Sequence, residues 1–461
     1  MVKPGETVLA GDDLYGGTNR LLGYLSSHVG VDVRHVDTTR VEELEPHLGP
    51  GNKYVVFMTR KQCADIRVTM VLLESPTNPL LKVADIKLIS STIKAAAPNA
   101  VIVVDNTMMS PYLQRPLELG ADVVYDSGTK YLSGHHDLMA GIVAVASPEI
   151  SQKIGFLINS VGSGLAPFDA FLLLRGVKTM ALRMDKQMDT AHLVSLYLDS
   201  LGFLVHYPRL KHHAKRDVHY QQATGAGAVL SFVTDDKSLS ERIVGGTRLW
   251  GISVSFGAVN SLISMPCLMS YVTFMSRWLS LIISHASISA AVRKERGLPE
   301  DLIRLCVGIE DPQDLMDDLE HSLLSAGAIV HNLAYSPVSQ SRSEELYATD
   351  KEAWILERAK NFKRPDTGLV DRLVDGVSRT LGLKQGERKH LEGDIVVAAP
   401  GKVILFGEHA VVHGVVRQLS SSVGYSSSID CDRNECESQV FRRPLSPCGR
   451  QSRSRGPGRR G

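Results

Sequence analysis

Val123-Val-Tyr-Asp-Ser-Gly-Thr-Lys130 decides how this chain folds. Its apolar run, Val123 to Tyr125, breaks off into Asp126-Ser-Gly-Thr, the pattern of a buried strand emptying into a loop. Two upstream segments share that form. Met70-Val-Leu-Leu-Glu74 runs into Ser-Pro-Thr-Asn78-Pro, and Ala100-Val-Ile-Val-Val104 runs into Asp105. Between them, Val83 to Ala97 has helical character, with Val83, Ile86 and Ile93 among its apolar positions. Alternating strands and helices from Glu6 to about Ala146 predict an α/β unit, a parallel sheet wrapped by helices. In open sheets of this kind ligands gather outside the carboxyl ends of the strands. Asn78, Asp105 and Lys130 all fall just past such ends and are expected to share one site.

The whole chain has 461 residues, 43% hydrophobic and 22% charged, enough for an ordinary core and two or three domains. Its 51 Lys and Arg against 50 Asp and Glu leave a net charge of +1. That balance gives no electrostatic reason for a nucleic acid or an anionic membrane as partner, so a small molecule is expected. The six cysteines form no disulfide framework, only a loose pairing of Cys431 with Cys436, which suits a reducing compartment. Met1-Val-Lys-Pro-Gly-Glu lacks the apolar core of a signal peptide and is no Arg-rich leader, so a cytoplasmic protein is expected. Ser261 to Ile283 is largely apolar, yet Pro266, several serines and Arg277 interrupt the run of about 20 residues that a membrane span needs.

Five segments are expected: 1–184 as the large domain, 185–340 as a smaller α+β domain, 341–390 as a charged helical extension, then 391–416 and 417–461. Within the second, Gly227 to Val233 reads as a strand and Pro312 to Ala326 as a helix. Beyond Gly414 the composition turns to Ser, Arg, Gly and Pro, too poor in apolar surface to offset the entropy of ordering.

A lysine at a strand end, flanked by hydroxyls and glycine, can form a Schiff base with a carbonyl cofactor while Ser127 and Thr129 donate to its phosphate. The same motif also suits a solvated loop lysine. Asp105 follows a buried apolar strand, where a carboxylate is costly unless paired. A protonated pyridine nitrogen, a helix cap or an ion pair would each satisfy it.

Glu74-Ser-Pro-Thr-Asn-Pro79, Val104-Asp-Asn-Thr107 and Ser127-Gly-Thr-Lys-Tyr131-Leu-Ser-Gly-His-His-Asp137 resemble the Cys/Met-metabolism family of pyridoxal-phosphate enzymes. Gly162-Ser-Gly-Leu-Ala-Pro-Phe-Asp169, Leu174-Arg-Gly-Val-Lys-Thr-Met-Ala-Leu-Arg183, Ser255-Phe-Gly-Ala-Val-Asn-Ser-Leu-Ile-Ser-Met-Pro266 and Ile303-Arg-Leu-Cys-Val-Gly-Ile-Glu-Asp311 are most similar to its cystathionine β-lyase branch. The resemblance covers roughly Glu6 to Ile329 in the family's order. It implies a fold-type-I, aminotransferase-like large domain with a mostly parallel sheet and a smaller α+β domain, with pyridoxal 5'-phosphate as cofactor.

By the same resemblance Lys130 carries the cofactor and acts as general base, and Asp105 partners the ring nitrogen. Tyr15, in Asp12-Asp-Leu-Tyr-Gly-Gly-Thr18, stacks on the ring, Ser127 and Thr129 hold the phosphate, and Asn78 lies by the ring oxygen and the substrate carboxylate. Arg304 clamps that carboxylate bidentately, and Ser255 shapes the pocket. The implied substrate is L,L-cystathionine, cleaved to homocysteine, pyruvate and ammonia by a homo-oligomer built as a dimer of dimers. Rival readings are the γ-lyase and γ-synthase of the same family, from which Asn260 leans away, and an inactive fragment of a misassembled or fused gene.

The family's amino-terminal aromatic–basic motif and its Ser-Gly-Met phosphate loop have no counterpart here, so part of the anion site is expected to be missing. Residues 54–69 and 271–284 look foreign to the pattern. Ala399-Pro-Gly-Lys-Val-Ile-Leu-Phe-Gly-Glu-His-Ala-Val-Val-His-Gly414 resembles the first strands of the mevalonate kinase family, but no phosphate loop follows, so no kinase activity is expected. The terminal arginines, from Arg442 to Arg460, are read as a disordered tail rather than a nucleic-acid site.

Overall fold

The computed structural model describes residues 2–48, 68–267 and 297–365. Expectations placed on 54–67, 271–284 and 366–461 lie outside the described residues.

Six strands form the larger sheet: β1 (Thr7–Gly11), β2 (Asp32–Val36), β3 (Val68–Glu74), β4 (Val101–Asp105), β5 (Val123–Ser127) and β6 (Gly141–Val145), in the order β2-β1-β3-β4-β5-β6. The first five are parallel, and β6 runs antiparallel at the edge beside β5. This is the mostly parallel α/β sheet that the sequence predicts. β3 starts two residues earlier than the apolar run suggests: Val68 pairs with Thr7 and is buried, so Val68 and Thr69 belong to the sheet.

The expected helix at 83–97 is shorter, Ile86–Ala96, because the Asp85 side chain accepts from the Leu88 N–H and caps it there. Ile86, Ile89 and Ile93 line its buried face and pack with Val71, Leu73, Ile102 and Val104 of the sheet.

A smaller sheet holds β7 (Leu204–His206), β8 (Val229–Val233), β9 (Gly251–Ile252), β10 (Leu262–Ser264) and β11 (Leu302–Cys306), ordered β7-β8-β11-β10-β9. All its pairings are antiparallel except β9 with β10. The helix Pro312–Ala326 forms where expected, with Asp311 capping it and Pro312 in its first turn. Met180–Ser200 is one continuous helix that runs through the expected boundary at 184/185. Met184, Val194 and Tyr197 of that helix share a core with Phe232, Ile303 and Leu315.

The segment after Tyr335 adds helices Gln340–Thr349 and Lys351–Ala359. A strand pair, β12 (Val330–His331) with β13 (Phe362–Lys363), then brings Trp354, Ile355 and Phe362 into the same core. Among the described residues no helix is long and apolar enough to cross a membrane.

Candidate active site

Parallel pairing fixes which residues meet at the carboxyl edge of the larger sheet. Glu74 pairs with Asp105, and Asp105 pairs with Tyr125, so three polar side chains stand in one row across adjacent strands, the first two at their strands' ends. Asp105 is the last residue of β4 rather than the first beyond it. Its Oδ1 accepts from the Thr107 N–H at 3.0 Å and from the Thr107 hydroxyl at 2.6 Å, and the Tyr125 hydroxyl also bonds to it. Thr107 Oγ1 in turn accepts from the Ser127 N–H at 2.9 Å, which ties the end of β5 to the turn after β4. Burial raises the Asp105 pKa, and these donors oppose the rise.

Lys130 lies in the short turn Gly128–Leu132 that follows β5. Its Nζ donates to Ser255 Oγ at 2.7 Å and stands 5.2 Å from the centre of the Phe256 ring. Burial, and then the charge of Arg304, lower its pKa to about 8. A lysine so placed is no solvated loop residue; near neutral pH a useful fraction is the free amine that attacks a carbonyl or removes a proton.

Arg304 sits mid-strand in β11, between Ser231 of β8 and Ser264 of β10, and is 2% exposed. Nη1 donates to Asn78 Oδ1 at 3.0 Å, and Nη2 donates to the carbonyls of Val254 at 2.7 Å and Ser255 at 3.1 Å. Its Nε is buried with no partner, and among the described residues no carboxylate forms an ion pair with it. Asn78 is buried in the turn after β3. Arg304, Asn78, Ser255 and Lys130 are thus joined by direct hydrogen bonds from four separate parts of the chain.

Thr129 Oγ1 accepts from the Ala140 N–H at 3.1 Å and keeps its own proton to give. Tyr15 precedes the helix Gly16–Tyr24, and its N–H donates to Glu74 Oε2 at 3.1 Å. Its ring folds over Gly17 and is 41% exposed, with no ring contact among the described residues.

The strap Ser253–Asn260 sets the position of Ser255. Gly257 has φ +75°, and a Cβ there would lie 2.8 Å from Tyr131 N and 3.1 Å from Lys130 C, so the strap fits against the lysine turn only as glycine. Gln187 Nε2 donates to the Ala258 carbonyl at 2.6 Å, and Val259 N–H donates to the Gly134 carbonyl at 2.9 Å. Sequence reasoning missed Glu74, Thr107, Tyr125 and Gly257 as site residues. Glu74, like Asp105, is an acid at the end of an apolar strand, and that local pattern marks it equally.

These residues fit pyridoxal phosphate. A lysine with a lowered pKa could meet its aldehyde, a buried acid without a described cation could meet its ring nitrogen, and a guanidinium Nε without a partner, beside Asn78, could meet an amino acid's carboxylate.

Fold and site together are those of an α/β protein with a buried, hydrogen-bonded lysine just past the end of a sheet strand. Residues 1–324 match the family described as Cys/Met metabolism PLP-dependent enzyme, and the chain belongs to that family. It is 55% identical over 329 residues to the cystathionine beta-lyase of Neurospora crassa, covering 71% of this chain and 65% of that protein. It is 46% identical over 322 residues to the chloroplastic cystathionine beta-lyase of Arabidopsis thaliana, covering 69% of this chain and 62% of the relative. The chain therefore spans under two thirds of these relatives' lengths. Among solved structures it resembles a cystathionine gamma-lyase from Lactobacillus plantarum complexed with L-serine, with a TM-score of 0.62 and 34% identity, covering 70% of this chain and 77% of that one.

Proposed function

We propose that the chain is a pyridoxal-phosphate-dependent carbon–sulfur lyase that cleaves L,L-cystathionine by β-elimination, giving homocysteine, pyruvate and ammonia. The observation that carries this reading is the linked set Lys130, Ser255, Arg304 and Asn78 at the carboxyl edge of the sheet. The β-lyase names of the relatives at 55% and 46% identity support the choice of bond.

When bound, the cofactor supplies a sink for the electron pair left at the substrate's α-carbon. Lys130, as a free amine, would take the α-proton on its Nζ, and Ser255 aims that nitrogen. Arg304 holds the substrate carboxylate, and Asn78 and the two carbonyls of the strap keep the guanidinium plane fixed. Of the residues that would hold the cofactor, Asp105 would keep a proton on its ring nitrogen, Ser127 and Thr129 would donate to its phosphate, and Tyr15 would cover its ring face. Phe256 excludes water beside Lys130.

The same reading includes self-association. The helix Pro148–Val161 has no buried residue, and Phe156, Val161, Phe168 and Phe171 stand out on it and on the helix Pro167–Val177. A second copy would cover this apolar face, consistent with a dimer of dimers. On the same reading the chain works in the cytoplasm, where a reducing milieu suits the buried thiol of Cys306.

Protein loaded with pyridoxal phosphate, treated with borohydride and digested, should carry the label on the Lys130 peptide. Incubation with L,L-cystathionine should give homocysteine and pyruvate. Label on another lysine would remove Lys130 from its role, and cysteine with 2-oxobutyrate would mark a γ-lyase instead.

A further inference from the structure

Glu74 plays no part in the mechanism above, yet it stands at its centre. It is 3% exposed, lies in register beside the 6% exposed Asp105, and its Oε2 accepts the Tyr15 N–H at 3.1 Å. The main-chain N–H of Asn78 also donates to it. One carboxyl group therefore holds the backbone of the residue assigned to the ring face and of the residue that fixes Arg304.

We infer that Glu74 and Asp105 form a carboxyl pair with a single negative charge, the charge on Asp105 and the proton on Glu74, and that neutral Glu74 positions Tyr15 and Asn78 around it. The inference rests on the assignment of Asp105 to the ring nitrogen. Two carboxylates on adjacent strands, both withdrawn from water, cannot both ionise without a cation. Among the described residues no lysine, arginine or histidine forms an ion pair with either.

The groups that face the pair decide which member keeps the proton. Asp105 receives the Thr107 N–H, the Thr107 hydroxyl and the Tyr125 hydroxyl, three donors that favour an anion. Tyr125 stays a donor because burial drives its own ionisation far up. Glu74 receives two main-chain N–H groups only, and it faces the charges of Asp105 from β4 and Asp13 from the loop after β1. Burial first and those two acids next raise its pKa well above the ordinary value. The pair titrates as a unit whose first proton loss belongs to Asp105. Its charge then matches the one proton of a pyridinium ring, where two ionised acids would overmatch it.

The test uses the full chain without cofactor, grown with carbon-13 in glutamate carboxyls so that infrared difference spectra separate Glu from Asp. A protonated glutamate band should persist to roughly pH 8, the range documented for buried glutamates, and Glu74→Gln should abolish it. In Asp105→Asn, which removes the neighbouring charge, the band should be lost at lower pH. Glu74→Gln should also keep cofactor affinity within about threefold, since an amide mimics the neutral acid.

A Glu74 signal that titrates near about pH 4, the ordinary carboxyl value, would overturn the pair. So would a loss of cofactor affinity above about tenfold in Glu74→Gln with the fold intact by circular dichroism. These outcomes are read without turnover. A normal catalytic rate in Asp105→Asn would instead count against the assignment of Asp105 to the ring nitrogen.

Discussion

Replacing Arg304 tests the site most severely, because the guanidinium is asked to do two things at once. Under the proposed function it binds a carboxylate, and its charge helps hold Lys130 down at about 8. In Arg304→Met the charge and the fork are both removed at similar volume. Each charge-assisted hydrogen bond to a substrate carboxylate is worth about 1.5–3 kcal/mol. Losing two gives about 3–6 kcal/mol, a fall in kcat/KM of roughly 10²–10⁴ at ~1.4 kcal/mol per decade. Arg304→Lys keeps the charge and loses the fork, so its kcat/KM should also fall. The two variants separate in cofactor-free protein, where attachment of pyridoxal phosphate requires neutral Lys130. A nearby positive charge disfavours the ammonium form, so its removal raises the lysine pKa and moves the acid limb of the attachment rate to higher pH. That limb should shift upward in Arg304→Met and stay in place in Arg304→Lys. Stopped-flow absorbance across the pH range measures it, with steady-state cleavage as the second readout. If Arg304→Met keeps both the limb and, within about threefold, the kcat/KM of the parent, the guanidinium neither clamps the substrate nor tunes the lysine.

Three further outcomes follow from particular contacts. Burial, then the charge of Asp105, raise the Asp126 pKa from 3.8 to about 7. A carboxyl raised on folding lowers stability progressively as pH climbs from its unfolded value through its folded one, so Asp126→Asn should gain on the parent across that window, by at most about 4 kcal/mol. Urea melts at acid and neutral pH read the difference, and a constant gap between the two would contradict it. Gly257→Ala puts a methyl 2.8 Å from Tyr131 N at a φ of +75°, so it should destabilise by roughly 1–3 kcal/mol and break the Ser255 to Lys130 bond. An unchanged melting temperature would mean that the strap does not bear on the lysine turn. Paired charges at Phe156 and Phe168, both as lysine, should shift sedimentation velocity toward monomer, and an unaltered oligomer would place the interface elsewhere.

What the sequence reveals of this site depends on whether the signal is local. Val101-Ile-Val-Val104 and Val123 to Tyr125 show themselves as strands by their apolar runs, and where those runs break off Asp105, at the end of β4, and Lys130, in the turn after β5, come to one sheet edge. The end of a helix is equally local, but the cap at Asp85 outweighs the apolar Val83 that precedes it. Pairing is not local: nothing in Glu74 or Tyr125 alone says that each will flank Asp105, because register is set by the whole ladder. Arg304 is the hardest case. In Leu302-Ile-Arg-Leu-Cys306 a single arginine among apolar residues reads as the solvent-facing position of a half-buried strand, and only family resemblance identifies it. The structure gives the physical reason it can sit 2% exposed: Asn78 and the carbonyls of Val254 and Ser255, contributed from 226 and about 50 residues away in sequence, replace the water that its guanidinium gives up. A buried cation held by neutral acceptors keeps its full charge for an anion that arrives later, which is the property that a carboxylate-binding arginine requires.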